Sequence, residues 1–178
     1  DAGSSDVASM GASFEYVSPT VKSWQDFIIW QNKQFIDRYH HDGYYHDLTY
    51  PRGSAIATVN TGWFDDATKT WQKTYPVLAY RELYRRLYAI TKAADPNAFD
   101  IGHMSSRGWI PSLAYEDAYL DGETLLSRLV GKNNYMDVLS LDQWCAEYTG
   151  RQWVPIPSML PDFDAAHRTA VEPTRGLA

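Results

Sequence analysis

From residue 23 to residue 104 the chain alternates between helix-period and strand-like segments, and that order leaves few folds open. Trp24, Phe27, Ile28, Gln31 and Phe35 recur at helical spacing. Ser23 and Asp26 stand at the spacing of a capping box. Together they predict a helix over 23–39 whose core face is those five positions, stopped by His40-His41-Asp42-Gly43 with Gly43 supplying the turn. Residues 44–48 favour a strand that ends near the carboxylate of Asp47, before Pro51 breaks regular structure. A second helix opens at Thr74-Tyr75-Pro76, with Pro76 in its first turn. Its buried stripe is Tyr80, Leu83, Tyr84, Leu87 and Ile90, and Glu82 precedes Arg85 and Arg86 at pairing distance. Asp95-Pro96 ends it, 98–104 reads as the next strand and 113–120 as another. Helices over 123–130 and 137–148 and an extended segment at 153–157 follow. Strands alternating with helices predict an α/β fold of parallel strands with crossover helices.

The 178 residues are enough for one domain with a real core and too few for two ordinary ones. Residues 1–13 are small and polar and read as a flexible start, 14–160 as the domain, and 161–178 as a polar tail. The first residue is Asp1, and no signal peptide is visible, so the chain reads as a processed or cut fragment. A net charge of -6 with no basic block disfavours nucleic acid and anionic membranes as partners. No apolar run approaches a membrane span. Cys145 is the one cysteine, so no internal disulfide can form; this fits a reducing compartment or an exported bacterial protein.

Residues 49–74 form a connection long enough to predict a functional loop, with Asn60-Thr61-Gly62-Trp63 as an ordered turn holding an aromatic. The chain carries 7 Trp, 13 Tyr and 6 Phe, and most must serve the core. Trp63, Trp71, Trp109 and Trp153, however, fall in loop-like stretches, where an exposed ring face beside carboxylates suits the C–H face of a sugar.

Carboxylates and a histidine recur near the predicted C-terminal ends of strands: Asp47, His103, Glu116-Asp117, and Asp121 with Glu123. In parallel α/β folds those ends line the active face. Two carboxylates across a cleft are the equipment of glycosidic hydrolysis, one protonating the leaving oxygen and the other attacking or orienting the nucleophile. Asp47 and Glu123 are the leading pair, with Asp121, Asp117 and Glu116 as competitors. Tyr45, Trp63, Asn60, His103, Trp109 and Trp153 are the candidate substrate contacts. Strand alternation puts Tyr45 and Asp47 on one face and Tyr44 and His46 on the other. His40, His41, Asp42 and His46 cluster in sequence without a familiar ligand spacing, so no metal is assigned, and no cofactor motif is present. There is no GxSxG elbow, P-loop or GxGxxG run.

The stretch Gly43-Tyr44-Tyr45-His46-Asp47-Leu48-Thr49-Tyr50-Pro51, the helix from Tyr75-Pro76-Val77 through Leu87-Tyr88, and Asp117 through Leu120-Asp121-Gly122-Glu123 resemble the catalytic region of bacterial glycoside-hydrolase-like proteins with a TIM barrel. That family is distantly similar to the β-N-acetylgalactosaminidases. The resemblance spans roughly residues 14–160. It implies a (β/α)8 barrel acting on oligosaccharide or polysaccharide, in an extracellular or periplasmic bacterial setting. A full barrel takes about 250 residues, so this chain reads as the later part of one, completed by the rest of the barrel in the same or another chain, or by a second copy. The relatives use an adjacent Asp-Glu pair, whereas Glu116-Asp117 is reversed. Two alternatives remain open: a non-catalytic carbohydrate-binding or structural module derived from such a barrel, and a compact flavodoxin-like α/β domain.

Overall fold

In a computed structural model, residues 17–103, 109–120, 139–146 and 156–158 are described. They form a mixed α/β unit. Helix α1 (Lys22–Tyr39) leads to the short strand β1 (Tyr45–His46); a hairpin, β2 (Trp63–Asp65) and β3 (Thr70–Gln72), precedes helix α2 (Val77–Ala94). Strand β4 (Ile101–His103), the single-turn helix α3 (Ile110–Leu113), strand β5 (Ala118–Leu120), helix α4 (Leu141–Trp144) and strand β6 (Ile156–Ser158) follow. The main sheet has the order β1-β4-β5-β6, and every neighbouring pair in it is parallel. The expected parallel sheet with helical crossovers is therefore present.

Both long helices pack on the same side of β1. The Tyr44 hydroxyl donates to the Asn32 carbonyl of α1 at 3.0 Å, and the His46 ring lies 5.4 Å from that of Tyr84 on α2. Leu83, Tyr84 and Leu87 form the buried centre, against Trp24, Ile28, Ile29, Tyr80 and Tyr115. Of the stripe expected on α2, Leu83, Tyr84 and Leu87 are buried and Tyr80 and Ile90 half-buried, and Thr91 is added as a buried position. Arg85 pairs with Glu82 at 2.7 Å, as the spacing predicts, while Arg86 turns away to Asp26 of α1 at 2.7 Å.

Helix α1 corrects the sequence reading in two respects. Its start is Val21, with no side-chain cap, and Ser23 lies inside the helix; Asp26 instead pairs with Lys22 and Arg86. Its core face is turned one position from the one expected: Gln25 and Ile36 are buried, whereas Phe27 and Phe35 are about half exposed. The polar Gln25 displaces the aromatics because its amide bridges the Pro19 and Ala79 carbonyls and its oxygen accepts from Arg86. A hydropathy pattern cannot register a buried polar residue whose partners lie on another element. The helix ends on His40 in the left-handed conformation. Gly43 is required for another reason, since a Cβ there would meet the Phe99 carbonyl oxygen at 2.0 Å.

Residues 49–74 are built rather than loose. They hold a 3-10 turn, Ala57–Val59, the β2–β3 hairpin, and a bridge between Ser54 and Thr74. The expected strand over 113–120 is also corrected: Ile110–Leu113 is helical, with Pro111 in its first turn, and β5 starts only at Ala118. The expected helix at 123–130 lies outside the described residues, and that at 137–148 is described only at its centre, by α4.

Candidate active site at the strand ends

Parallel register fixes the geometry of the site. Tyr45 is level with Ile101 and Ala118, His46 with Gly102 and Tyr119, and His103 with Leu120. Asp47 and His103 therefore stand at the C-terminal ends of adjacent strands. Leu48, with φ of 52°, ends the extended backbone directly after Asp47. The following loop is then pinned over β4, where both the amide and the hydroxyl of the fully buried Thr49 donate to the His103 carbonyl, at 3.0 and 2.9 Å.

On the face away from α1 and α2, three side chains converge. The His103 Nδ1 lies 2.7 Å from Asp47 Oδ1 and 2.7 Å from the Tyr45 hydroxyl. His103 is buried, while Tyr45 and Asp47 are exposed to solvent. An ionised carboxylate only accepts, so the contact with Asp47 requires the proton on Nδ1. The Tyr45 oxygen then accepts a share of that proton, and its own O–H points away from the ring nitrogen. A buried imidazole thus anchors an exposed carboxylate beside an exposed aromatic ring. This is an arrangement that can hold a sugar and present an acid, base or nucleophile to it.

A second, closed pair lies on the opposite face. Glu116 Oε1 lies 2.9 Å from His46 Nδ1, and the Glu116 side chain is wholly buried. It reaches His46 by crossing β4 at Gly102, where any Cβ would meet the Glu116 Cγ at 3.0 Å. Burial pushes the Glu116 carboxyl above its ordinary 4.5, with His46 opposing that shift. His46 in turn stacks on Tyr44 and lies against Tyr84.

Asp117 is placed at the other edge of the sheet. It directly precedes β5, and its carboxylate accepts from the Asp100 amide at 2.9 Å while pairing with Lys92 at 2.9 Å. Asp100 repeats the device one strand along, accepting from the Tyr44 amide at 2.9 Å. Burial raises the Asp100 carboxyl, with the Tyr44 N–H opposing. The two acids therefore tie the N-terminal ends of β1, β4 and β5 together. Glu116 and Asp117, expected near the C-terminal end of their strand, stand instead before its first residue, because β5 begins only at Ala118.

Of the other candidates, Asn60 holds a left-handed turn at the end of the 3-10 segment and Trp63 stands half exposed on the hairpin. Trp109 packs near Tyr75, ring centroids 5.7 Å apart. Asp121, Glu123 and Trp153 lie outside the described residues. The His40-His41-Asp42-His46 run separates in space: the His41 ring packs on Phe35 and Tyr44, and His46 is committed to Glu116. Among the described residues no group of three or more His, Cys, Asp or Glu side chains is placed to hold a metal ion, and no helix is long and apolar enough to cross a membrane. The Tyr45–His103 contact was missed as a unit, although its signal, two polar residues at the ends of neighbouring strands, is in the sequence. No family model, curated protein or solved structure matches the chain, so its chemistry is read from these residues alone.

Proposed function

We propose that the chain is a glycoside-hydrolase domain whose working carboxylate is Asp47. The observation that carries this reading is the exposed Asp47, held by the buried His103 and flanked by Tyr45 at the C-terminal edge of a parallel sheet. Asp47 attacks the anomeric carbon, or activates the water that does so; the distance to the second carboxylate decides which. The second carboxylate is Asp121 or Glu123, which come after Leu120, the last residue of β5, in the sequence. It protonates the leaving oxygen. Glu116 and Asp117 have no part in the chemistry, since one is sealed from solvent and the other serves the opposite edge.

The barrel reading gains support from sheet order. The described strands of the main sheet follow chain order without reversal, and both long helices pack on one face. A doubly wound domain reverses its strand order and carries helices on both faces. On this reading the chain is the later part of a bacterial, exported (β/α)8 barrel similar to those of the β-N-acetylgalactosaminidases.

Replacing Asp47 by Asn tests the reading. Hydrolysis of aryl glycosides and oligosaccharides, measured by product release, is expected to fall by at least about a thousandfold with glycan binding kept. Unchanged hydrolysis in Asp47→Asn would sink the assignment. A chain that binds glycans with no turnover in either form is instead a carbohydrate-binding module, a reading favoured by the exposed aromatics of the hairpin.

A further inference from the structure

The connection from β1 to α2 carries more structure than a crossover needs. Its hairpin pairs Trp63 with Gln72, Phe64 with Trp71 and Asp65 with Thr70. Strand alternation puts Trp63, Asp65, Thr70 and Gln72 on one face, and Phe64 with Trp71 on the other. The Phe64 and Trp71 rings meet edge to face at 6.1 Å and brace the hairpin.

The Trp63 face combines an apolar ring with an ordered polar row. Trp63 is 52% exposed. Beside it, the Gln72 amide donates to Thr70 Oγ1 at 2.8 Å, Thr70 and Thr68 share a hydroxyl contact of 2.8 Å, and Thr68 donates to Asp65 at 2.8 Å. The Ala67 amide also donates to Asp65. These bonds, with that of Thr68 first, hold the Asp65 carboxyl below the usual carboxylate range. The Gln72 amide also donates to Thr68 Oγ1 at 3.4 Å. Each group is thus fixed before any ligand arrives, and Asp65 keeps lone-pair capacity for a further donor. The base is fixed too. Gly62 donates to Thr74 at 2.8 Å, Ser54 and Thr61 share a hydroxyl contact of 2.9 Å, and Thr20 donates to the Val59 carbonyl. A platform held this way gives up little conformational entropy on binding.

We propose that this face of the hairpin is a carbohydrate-binding platform. A pyranose ring lays its C–H face on the Trp63 indole, and its equatorial hydroxyls meet Gln72, Thr70 and Asp65. A flat apolar face ringed by hydroxyls is the ligand chemistry that an exposed indole beside an amide, a hydroxyl and a carboxylate complements; a purely apolar partner would strip water from the Asp65 carboxylate and offer no donor in return. The hairpin belongs to the connection that follows Asp47 in the chain, and on this proposal it holds a glycan at sugar units other than the one being cleaved. This deepens the glycosidase reading, but its test is independent of turnover.

Affinity electrophoresis of the full chain in gels containing soluble polysaccharides, spanning neutral, amino and uronic-acid sugars, measures binding directly. Trp63→Ala is expected to weaken retention by at least about tenfold, and Gln72→Ala by several-fold. Trp63→Tyr keeps a stacking face and retains most of the binding. Trp71→Phe, on the other face, keeps an aromatic ring against Phe64 and changes it less than about twofold, and this separates loss of the platform from loss of the hairpin. The proposal is overturned if Trp63→Ala binds as well as the unaltered chain, if Trp71→Phe loses as much, or if the unaltered chain binds none of the polysaccharides. Polysaccharide retention by the hairpin variants and aryl-glycoside hydrolysis by Asp47→Asn are separate readouts, so the two readings can fail separately.

Discussion

Glu116 and Asp47 show how two carboxylates of one chain take opposite roles. Asp47 ends its strand in solvent with one imidazole contact, whereas Glu116 is sealed between β1 and β5 over the bare Gly102. Burial disfavours the charged form, so the folded pKa of Glu116 lies above its unfolded value. The corresponding stability is fully present below about pH 4.5 and is lost as pH rises through the raised value. Glu116→Gln keeps the shape and removes this titration. Melting temperatures measured from pH 4 to pH 8 are therefore expected to fall for the unaltered chain relative to Glu116→Gln as pH rises above 4.5. Asp100, also raised by burial, is present in both proteins, and its charge adds to the rise at Glu116. Parallel curves for the two would show that Glu116 does not titrate in this window. Both carboxylates were visible in the sequence; their different burial was not, because it depends on where β5 begins.

Among the elements, α2 matched its sequence pattern and α1 did not. In α2 hydropathy and burial agree at Leu83, Tyr84 and Leu87, while the polar Thr91 is buried through its hydroxyl bond to the Leu87 carbonyl. In α1 the buried face runs through Gln25, Ile29, Asn32 and Ile36, while Phe27, Trp30, Phe35 and Tyr39 stand half exposed. Gln25 makes bonds to Pro19, Ala79 and Arg86 that only the packed pair of helices offers. Ile36→Ala is expected to cost about 2–4 kcal/mol of unfolding free energy, and Phe27→Ala under about 1 kcal/mol. Urea titration of both variants checks the phase of the helix; equal costs would mean that the aromatic face is the buried one. The hairpin went unseen for a different reason. Its strands are three residues each, its four-residue turn lacks glycine, and its order comes from Asp65 side-chain bonds and the Ser54–Thr74 bridge.

For the whole molecule, the exposed aromatic face of α1 and the one-sided packing of the helices bear on the barrel proposal. A partial barrel leaves apolar surface that a neighbour must cover. Light scattering of the purified chain is expected to give at least twice the mass of one copy. A monomer with a single cooperative melt would instead mean that the chain closes its own core, and would favour the compact α/β alternative. Local pattern was enough for the α/β class, the parallel arrangement, the burial of Leu83, Tyr84 and Leu87 on α2, and the place of Asp47 at the end of a strand. These follow from local periodicity, chain order and short-range sterics, which residues carry with them wherever they fold. Tertiary structure alone decided that His103 and Tyr45 meet Asp47, that Glu116 turns inward to His46, that Asp117 serves the far edge, and which face of α1 is buried. Each of those outcomes rests on contacts between residues distant in the chain, where strand register and the satisfaction of buried polar groups, not hydropathy, select the partner.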